Sequence, residues 1–246
     1  MNTTSPVSNT GPDNHPVVRT SLSVAVNFSE LVEKIQMSSS KPAILDAAQA
    51  TFDQANGTWQ PAMAYQWFDY SACDSGKTGT IIAPLTRHRL NVDLGHSGRF
   101  ISKASKVLAA VYTAGPELDK AAAAASCTGD FLGSHFLDTL GLLVLSKVET
   151  LVKLVAERTA AAAGWGVSPF LSPGSVHGWE LSGQADLAGL LPISDIGVTV
   201  SEAAVFTPFK TISCLIGIGP EFDAPTVGST CRICAKRKDC QMRQTD

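Results

Sequence analysis

The sequence predicts an α+β protein, and three observations predict it. Strand-like runs rich in β-branched residues stand near both ends, at 17–28 and at 196–206 and 211–219. Helical segments cluster between them, the longest running from Asp130 to Ala163. No regular βαβ alternation and no internal repeat connects the two groups.

Taken in order, residues 1–16 are rich in Ser, Thr, Asn and Pro, too poor in apolar side chains to order themselves, and are expected to form a flexible tail. VVRTSLSVAVNF at 17–28 reads as a strand, and SELVEKIQ as a short helix capped by Ser29. PAILDAAQATFDQA at 42–55 places Ile44, Leu45, Ala48 and Phe52 at helical spacing, with Gly57 as its stop. The aromatic-rich WQPAMAYQWFDY shows no clear period. TIIAPL and RLNVDLG read as strands after the polar turn DSGKTG. That turn is only a partial phosphate loop: Ser71 stands where the first glycine of G-x-x-x-x-G-K-[ST] belongs, so a hairpin turn is the better reading.

KVLAAVYTAGPEL at 106–118 reads as a buried strand ending in a Gly-Pro turn, and LDKAAAAASC as a helix broken by Gly129. The long helix that follows carries a stripe of Phe136, Leu140, Leu143, Val144, Leu151 and Val155 and stops at Gly164. A turn-rich loop, SPGSVHGWE, leads to a helix from about Ser182 to Leu191 that Pro192 ends. IGVTVSEAAVF at 196–206 and TISCLIGIG at 211–219 then read as two strands separated by Thr-Pro-Phe-Lys.

Composition narrows the function classes. At 246 residues and 44% hydrophobic side chains the chain is long enough for a full core, as one large domain or two small ones. A net charge of −3 offers no global field for a polyanion, so nucleic acid is not the expected partner. No stretch approaches a membrane span, and MNTTSPVSNTGPDNHP lacks a basic flank and an apolar core, so a cytoplasmic protein is expected. The five histidines are scattered, and no Ser-His-Asp, Cys-His or paired-carboxylate spacing supports hydrolase chemistry; no catalytic residue is assigned.

The six cysteines are not spread as in a small secreted domain, since three fall in CRICAKRKDC at the end. Cys231, Cys234 and Cys240 are candidate ligands of an iron–sulfur cluster or zinc, and the basic residues around them favour thiolates. The fourth ligand would be Cys73, Cys127 or a non-cysteine group, because Cys214 lies in an apolar strand and reads as core. The competing reading is a reduced surface tail without a ligand.

The succession SPGSVHGW, a helix, IGVTVSEAAVFTPFKTISCLIGIG and a cysteine-rich tail resembles the reactivation domain of vitamin B12-dependent methionine synthase. It is closer still to the stand-alone members of that family that accompany corrinoid methyltransferases and carry an S-P-G-x-x-G-W loop and a C-x-x-C...C tail. VYTAGPELD, the Gly-Asp at 129–130 and LDTLG at 137–141 fall in comparable places, so that the resemblance covers about residues 41 to 243. It implies a single α+β domain with a curved antiparallel sheet and helices packed against it, spanning 17–228 between the N-terminal tail and a basic, cysteine-rich segment at 229–246.

The resemblance further implies a protein accessory to a cobalamin-dependent methyltransferase or corrinoid protein. It would bind S-adenosylmethionine, dock over the partner's cobalamin, and support reductive remethylation of oxidised cobalt. The implied cofactor-binding residues are Ser172, Pro173, Gly174, Ser175, His177, Gly178, Trp179 and Lys210. Proline and glycine in this loop hold the backbone open to a ligand rather than react. His177 is able to donate to a ligand and Trp179 to stack on one; the alternatives are a loop histidine and a core-edge indole. Glu202 and Lys210 read either as site residues or as ordinary surface charges. Where the family has an Arg three positions before the Pro-Gly pair and a Tyr after it, this chain has Phe170 and Ser175. A ligand carboxylate would then pair with Lys210, His177 or Arg158, or the chain does not bind S-adenosylmethionine and is a non-catalytic, metal-binding adaptor on a corrinoid protein.

Overall fold

The computed structural model describes residues 14–35, 42–73, 76–174 and 179–228. In chain order, strand β1 (Val17–Arg19) leads to helices α1 (Phe28–Lys34) and α2 (Pro42–Ala55), then strands β2 (Ala62–Ala72), β3 (Thr78–Ile82), β4 (Arg89–Asp93) and β5 (Lys106–Thr113). Helices α3 (Glu117–Cys127) and α4 (Phe131–Ala162) follow, then strand β6 (Gly166–Val167), helix α5 (Gly183–Gly189), and strands β7 (Thr199–Val200), β8 (Phe206–Thr207) and β9 (Thr211–Gly219). Seven strands form one sheet in the order β4-β3-β2-β5-β9-β6, with β1 also on β2, and every pairing is antiparallel. The sheet is curled and the helices pack on it, so the architecture is the single α+β domain that was expected.

Alternation along the strands separates two apolar layers. Met63, Tyr65, Trp67, Leu108, Ala110, Tyr112, Cys214, Ile216 and Ile218 face α4 and its neighbours. Ala64, Phe68, Tyr70, Val107, Ala109, Val111 and Leu215 face the opposite side, where they meet Trp179 and the α5 side chains Leu187 and Ala188. The helix α4 supplies the largest single contribution to the first layer, through Leu140, Val144, Val148, Val152, Ala156 and Ala160, all at most 1% exposed. Asp130 caps it, accepting the Gly133 N–H at 2.8 Å, and Gly164 at φ +67° ends it.

Four expectations are corrected. WQPAMAYQWFDY contains β2, the longest strand at 11 residues. It is buried on both faces and therefore has no period-two signal. The strand at 17–28 is only Val17–Arg19, because Ser21 takes φ 54° and turns the chain. Helix α1 begins one residue before Ser29 and is capped by Asn27, whose N–H donates to Glu30 Oε2 at 2.9 Å. The run at 196–206 is not one strand: a 3-10 turn at Ile193–Ile196 precedes β7, and a turn with Ala204 at φ 57° joins β7 to β8. Glu202 sits exposed in that turn, not in a strand.

Candidate functional site

The candidate site lies along the outer edge of β9. Val167 pairs with Ile218, and Ser168 follows by donating its N–H to the Gly217 carbonyl at 2.8 Å. Ser168 Oγ accepts the Gly217 N–H at 2.7 Å, which locks this register. Leu171 and Leu215 then exchange both backbone bonds, at 3.0 and 2.8 Å. From the Val167 pair to the Leu171 pair, four steps on one strand match three on the other. The extra residue is a bulge, and it moves Leu171 to the sheet face opposite Val167. Phe170 remains on the α4 face, 4% exposed.

Beyond the bulge come Ser172 and Pro173, both buried, and Gly174, exposed at φ +74°. A Cβ on Gly174 would be strained in the left-handed region and would stand 3.0 Å from Leu181 Cδ1. The bend closes through the Gly174 N–H, which donates to the Trp179 carbonyl at 3.0 Å. Ser175, His177 and Gly178 lie outside the described residues. Trp179 is 3% exposed, its indole lying against Gly183, where a Cβ would come within 2.3 Å of Nε1. It belongs to the apolar layer under α5, the core-edge alternative rather than an open stacking platform.

Lys210, just before β9, is 6% exposed and already matched: Nζ pairs with Asp119 on α3 and lies 2.7 Å from Asp138 Oδ1 on α4. Burial alone would lower its pKa, but the hydrogen bonds and charges of the two carboxylates outweigh that and raise it. Asp119 also accepts the Phe209 and Lys210 N–H groups at 2.7 and 3.3 Å. Lys210 is therefore a clasp that ties two helices to the segment leading into β9, with its charge spent inside the fold. Arg158 is an exposed residue of α4.

Under Phe170 lies a polar cluster. Lys153 Nζ stands 5.5 Å from the Phe170 ring centroid and pairs with Glu149 at 2.6 Å. Glu149 in turn lies 3.3 Å from the Tyr112 hydroxyl. Burial first, and the Glu149 charge second, push the Tyr112 phenol and the Cys214 thiol well above their ordinary values. Phe170 is thus a packing residue directed at α4. Two clefts among the described residues, of about 440 Å³ between α2, α3 and α4 and about 320 Å³ beside the β3–β4 turn, contain none of the expected site residues.

Cys231, Cys234 and Cys240 lie outside the described residues. Among the described residues no group of three His, Cys, Asp or Glu side chains could hold a metal ion. Cys214 is fully buried, as its sequence context implied, whereas Cys73 and Cys127 are exposed thiols. No helix among the described residues is long and apolar enough to cross a membrane.

Sequence reasoning missed Asp119 and Asp138, the partners of Lys210, and it missed Ser168 and Ser213. Nothing at short range marks them: the partners of Asp119, Asp138 and Ser168 stand 49 to 91 residues away, and Ser213 is set apart only by its burial without a protein partner.

Neither a protein-family model nor a curated protein matches the sequence. Among solved structures the chain is similar to the crystal structure of the MetH reactivation domain bound to AdoHcy. The TM-score is 0.57 at 16% sequence identity, and the alignment covers 85% of this chain and 81% of that one. At this identity the likeness establishes the fold, and the share covered extends it over nearly the whole domain.

Proposed function

We propose that this chain is an accessory protein of a cobalamin-dependent methyltransferase system. It binds an S-adenosyl ligand at the Ser172–Gly174 bend, docks on a corrinoid-carrying partner, and supports reductive remethylation of the partner's cobalt by S-adenosylmethionine. The observation that carries this reading is the fold likeness to a reactivation domain whose crystal structure holds AdoHcy, together with the Pro-Gly bend on the edge of β9. In this proposal residues 17–228 form the ligand-binding domain, and Cys231, Cys234 and Cys240 in the basic C-terminal segment hold an iron–sulfur cluster or zinc. The thiolates fit either group. The fourth ligand would be Cys73 or Cys127, whose thiols are exposed, or a non-cysteine group; buried Cys214 does not fit the role.

The ligand carboxylate needs a cation, and the geometry argues against one of the three candidates: Lys210 is matched by two carboxylates. His177 and Arg158 remain as candidates for that contact. The test is calorimetry with S-adenosylmethionine and S-adenosylhomocysteine on the full chain, followed by absorption spectra of a corrinoid protein with reductant and S-adenosylmethionine. Micromolar binding and a return of the methylcobalamin spectrum are expected; no binding and no spectral change overturn the reading.

A second reading is favoured by the burial of Phe170 where the resembled family carries an Arg: a metal-binding adaptor that docks on the corrinoid protein without a methyl donor. It expects partner association with no S-adenosyl binding, and the same calorimetry separates the two.

A further inference from the structure

We infer that the Ser213 hydroxyl is a ligand-contacting group beneath the Pro173–Gly174 bend, bonding a polar edge of the adenosyl portion of the ligand. This deepens the proposed function and rests on it.

Ser213 is fully buried, and its hydroxyl has no hydrogen-bond partner. Its neighbours on the same sheet face are in the opposite condition. Thr211 Oγ1 lies 3.0 Å from Thr113 Oγ1 and 2.8 Å from the Pro208 carbonyl, and Thr113 Oγ1 accepts the Gly115 N–H at 3.1 Å. These hydroxyls fasten the sheet to the turns that flank it. Ser213 fastens nothing. An unpaired buried hydroxyl destabilises a fold, and alanine would fill the same place without that penalty. Folding stability therefore gives no reason for a serine here.

Its position gives one. Leu171 and Leu215 are a hydrogen-bonded pair, and Ser213 stands two residues along β9 from it, in the direction in which the antiparallel edge segment runs on to Pro173. Proline has no N–H with which to continue the ladder, and the chain turns away at Gly174. Ser213 shares the face of Leu215, the face on which Trp179 and α5 lie. The unpaired hydroxyl thus stands just past the last bonded pair of this edge, on the side towards the Pro173–Gly174 bend. An uncharged hydroxyl donates one bond and can also accept, which suits a ribose hydroxyl or a purine nitrogen better than the methionyl carboxylate.

The experiment compares full-length wild type with Ser213→Ala, a change that removes one oxygen and adds no volume. Calorimetry with S-adenosylhomocysteine is expected to show affinity about tenfold weaker in the variant. The ligand-free variant is expected to melt a few degrees higher, about the shift that relief of one unpaired hydroxyl gives a chain of this size. Equal affinity in the two proteins overturns the inference while leaving the proposed function intact. A lower melting temperature in the ligand-free variant also overturns it, since the hydroxyl would then be serving the fold. Absence of binding to wild type overturns the proposed function and this inference together.

Discussion

Lys210 Nζ lies 2.7 Å from Asp138 Oδ1, and with the second carboxylate of Asp119 this joins α3, α4 and the entry to β9 at one buried point. Removing the cation leaves two carboxylates without their shared partner, Asp119 mostly covered and Asp138 partly open to solvent. Lys210→Met is expected to lower stability by about 2–4 kcal/mol, at the low end of the cost of breaking a buried pair because Asp138 is 55% exposed. Urea denaturation measures it, and a loss under about 1 kcal/mol would show the clasp to be as weak as a surface pair.

The same clasp reverses the usual sign of a helix substitution. Glycine inside a helix ordinarily costs about 1 kcal/mol relative to alanine. At Gly141 on α4, however, a Cβ would stand 2.1 Å from Lys210 Cδ, and the lysine stem is held by both carboxylates. Gly141→Ala is therefore expected to destabilise by about 1–2 kcal/mol. In a Lys210→Ala background the stem is gone and the same change should become neutral or favourable. A double-mutant cycle in urea reads the coupling, and additivity would refute it.

Alkaline pH should unfold the protein through four groups whose protonated forms the fold favours. Burial pushes the Tyr70 phenol up from 10.0 to about 12, burial acts first on Tyr112 and Cys214, and the two carboxylates raise Lys210 from 10.5 despite its burial. For a pKa raised on folding, the contribution is complete below the unfolded value and is lost as pH climbs through the folded one. Stability should thus fall steadily from about pH 9, the ordinary cysteine value, upward past 10 and towards 12. Tyr70→Phe should flatten the loss above pH 10 and cost little at neutral pH, because that hydroxyl is buried without a partner. Chemical denaturation across this range is the measurement; a flat profile to pH 12 would contradict it.

Thiol labelling separates the cysteines by environment. Cys73 and Cys127 should react with Ellman's reagent in the native protein, whereas Cys214, fully buried, should react only on unfolding. If Cys231, Cys234 and Cys240 hold a metal, anaerobically prepared protein should contain iron and sulfide, or zinc, near one site per chain. Cys234→Ser should remove that metal and free the remaining tail thiols for labelling. Metal content unchanged by the substitution would exclude the tail as the site.

Much of the fold was legible at short range. The α4 stripe with its start at Asp130 and its Gly164 stop, and the strands at 106–113 and 211–219, follow from residues within a few turns of each other. Strand β2 was not legible, because burial on both faces removes the alternation that marks a strand. Nor was the split of 196–206: its β-branched residues read as one strand, but Ala204 at φ 57° turns the chain to pair β7 with β8.

By itself the sequence determined the class of the protein, the extent of its main helix, the Pro-Gly bend at 173–174 and the burial of Cys214, since each depends on local pattern and residue type. Tertiary structure alone decided what those residues face. Lys210 read as a free cation until Asp119 and Asp138 arrived from 91 and 72 residues away to neutralise it. Phe170 lost any approach to a ligand through the bulge opposite β9, which sets it against Lys153. Ser213, polar in type, became a fully buried hydroxyl without a protein partner because β9 is covered on that face by groups that offer it none. Charge matching, facing and hydrogen-bond satisfaction depend on groups far apart in the chain, and only the folded sheet brings them within reach.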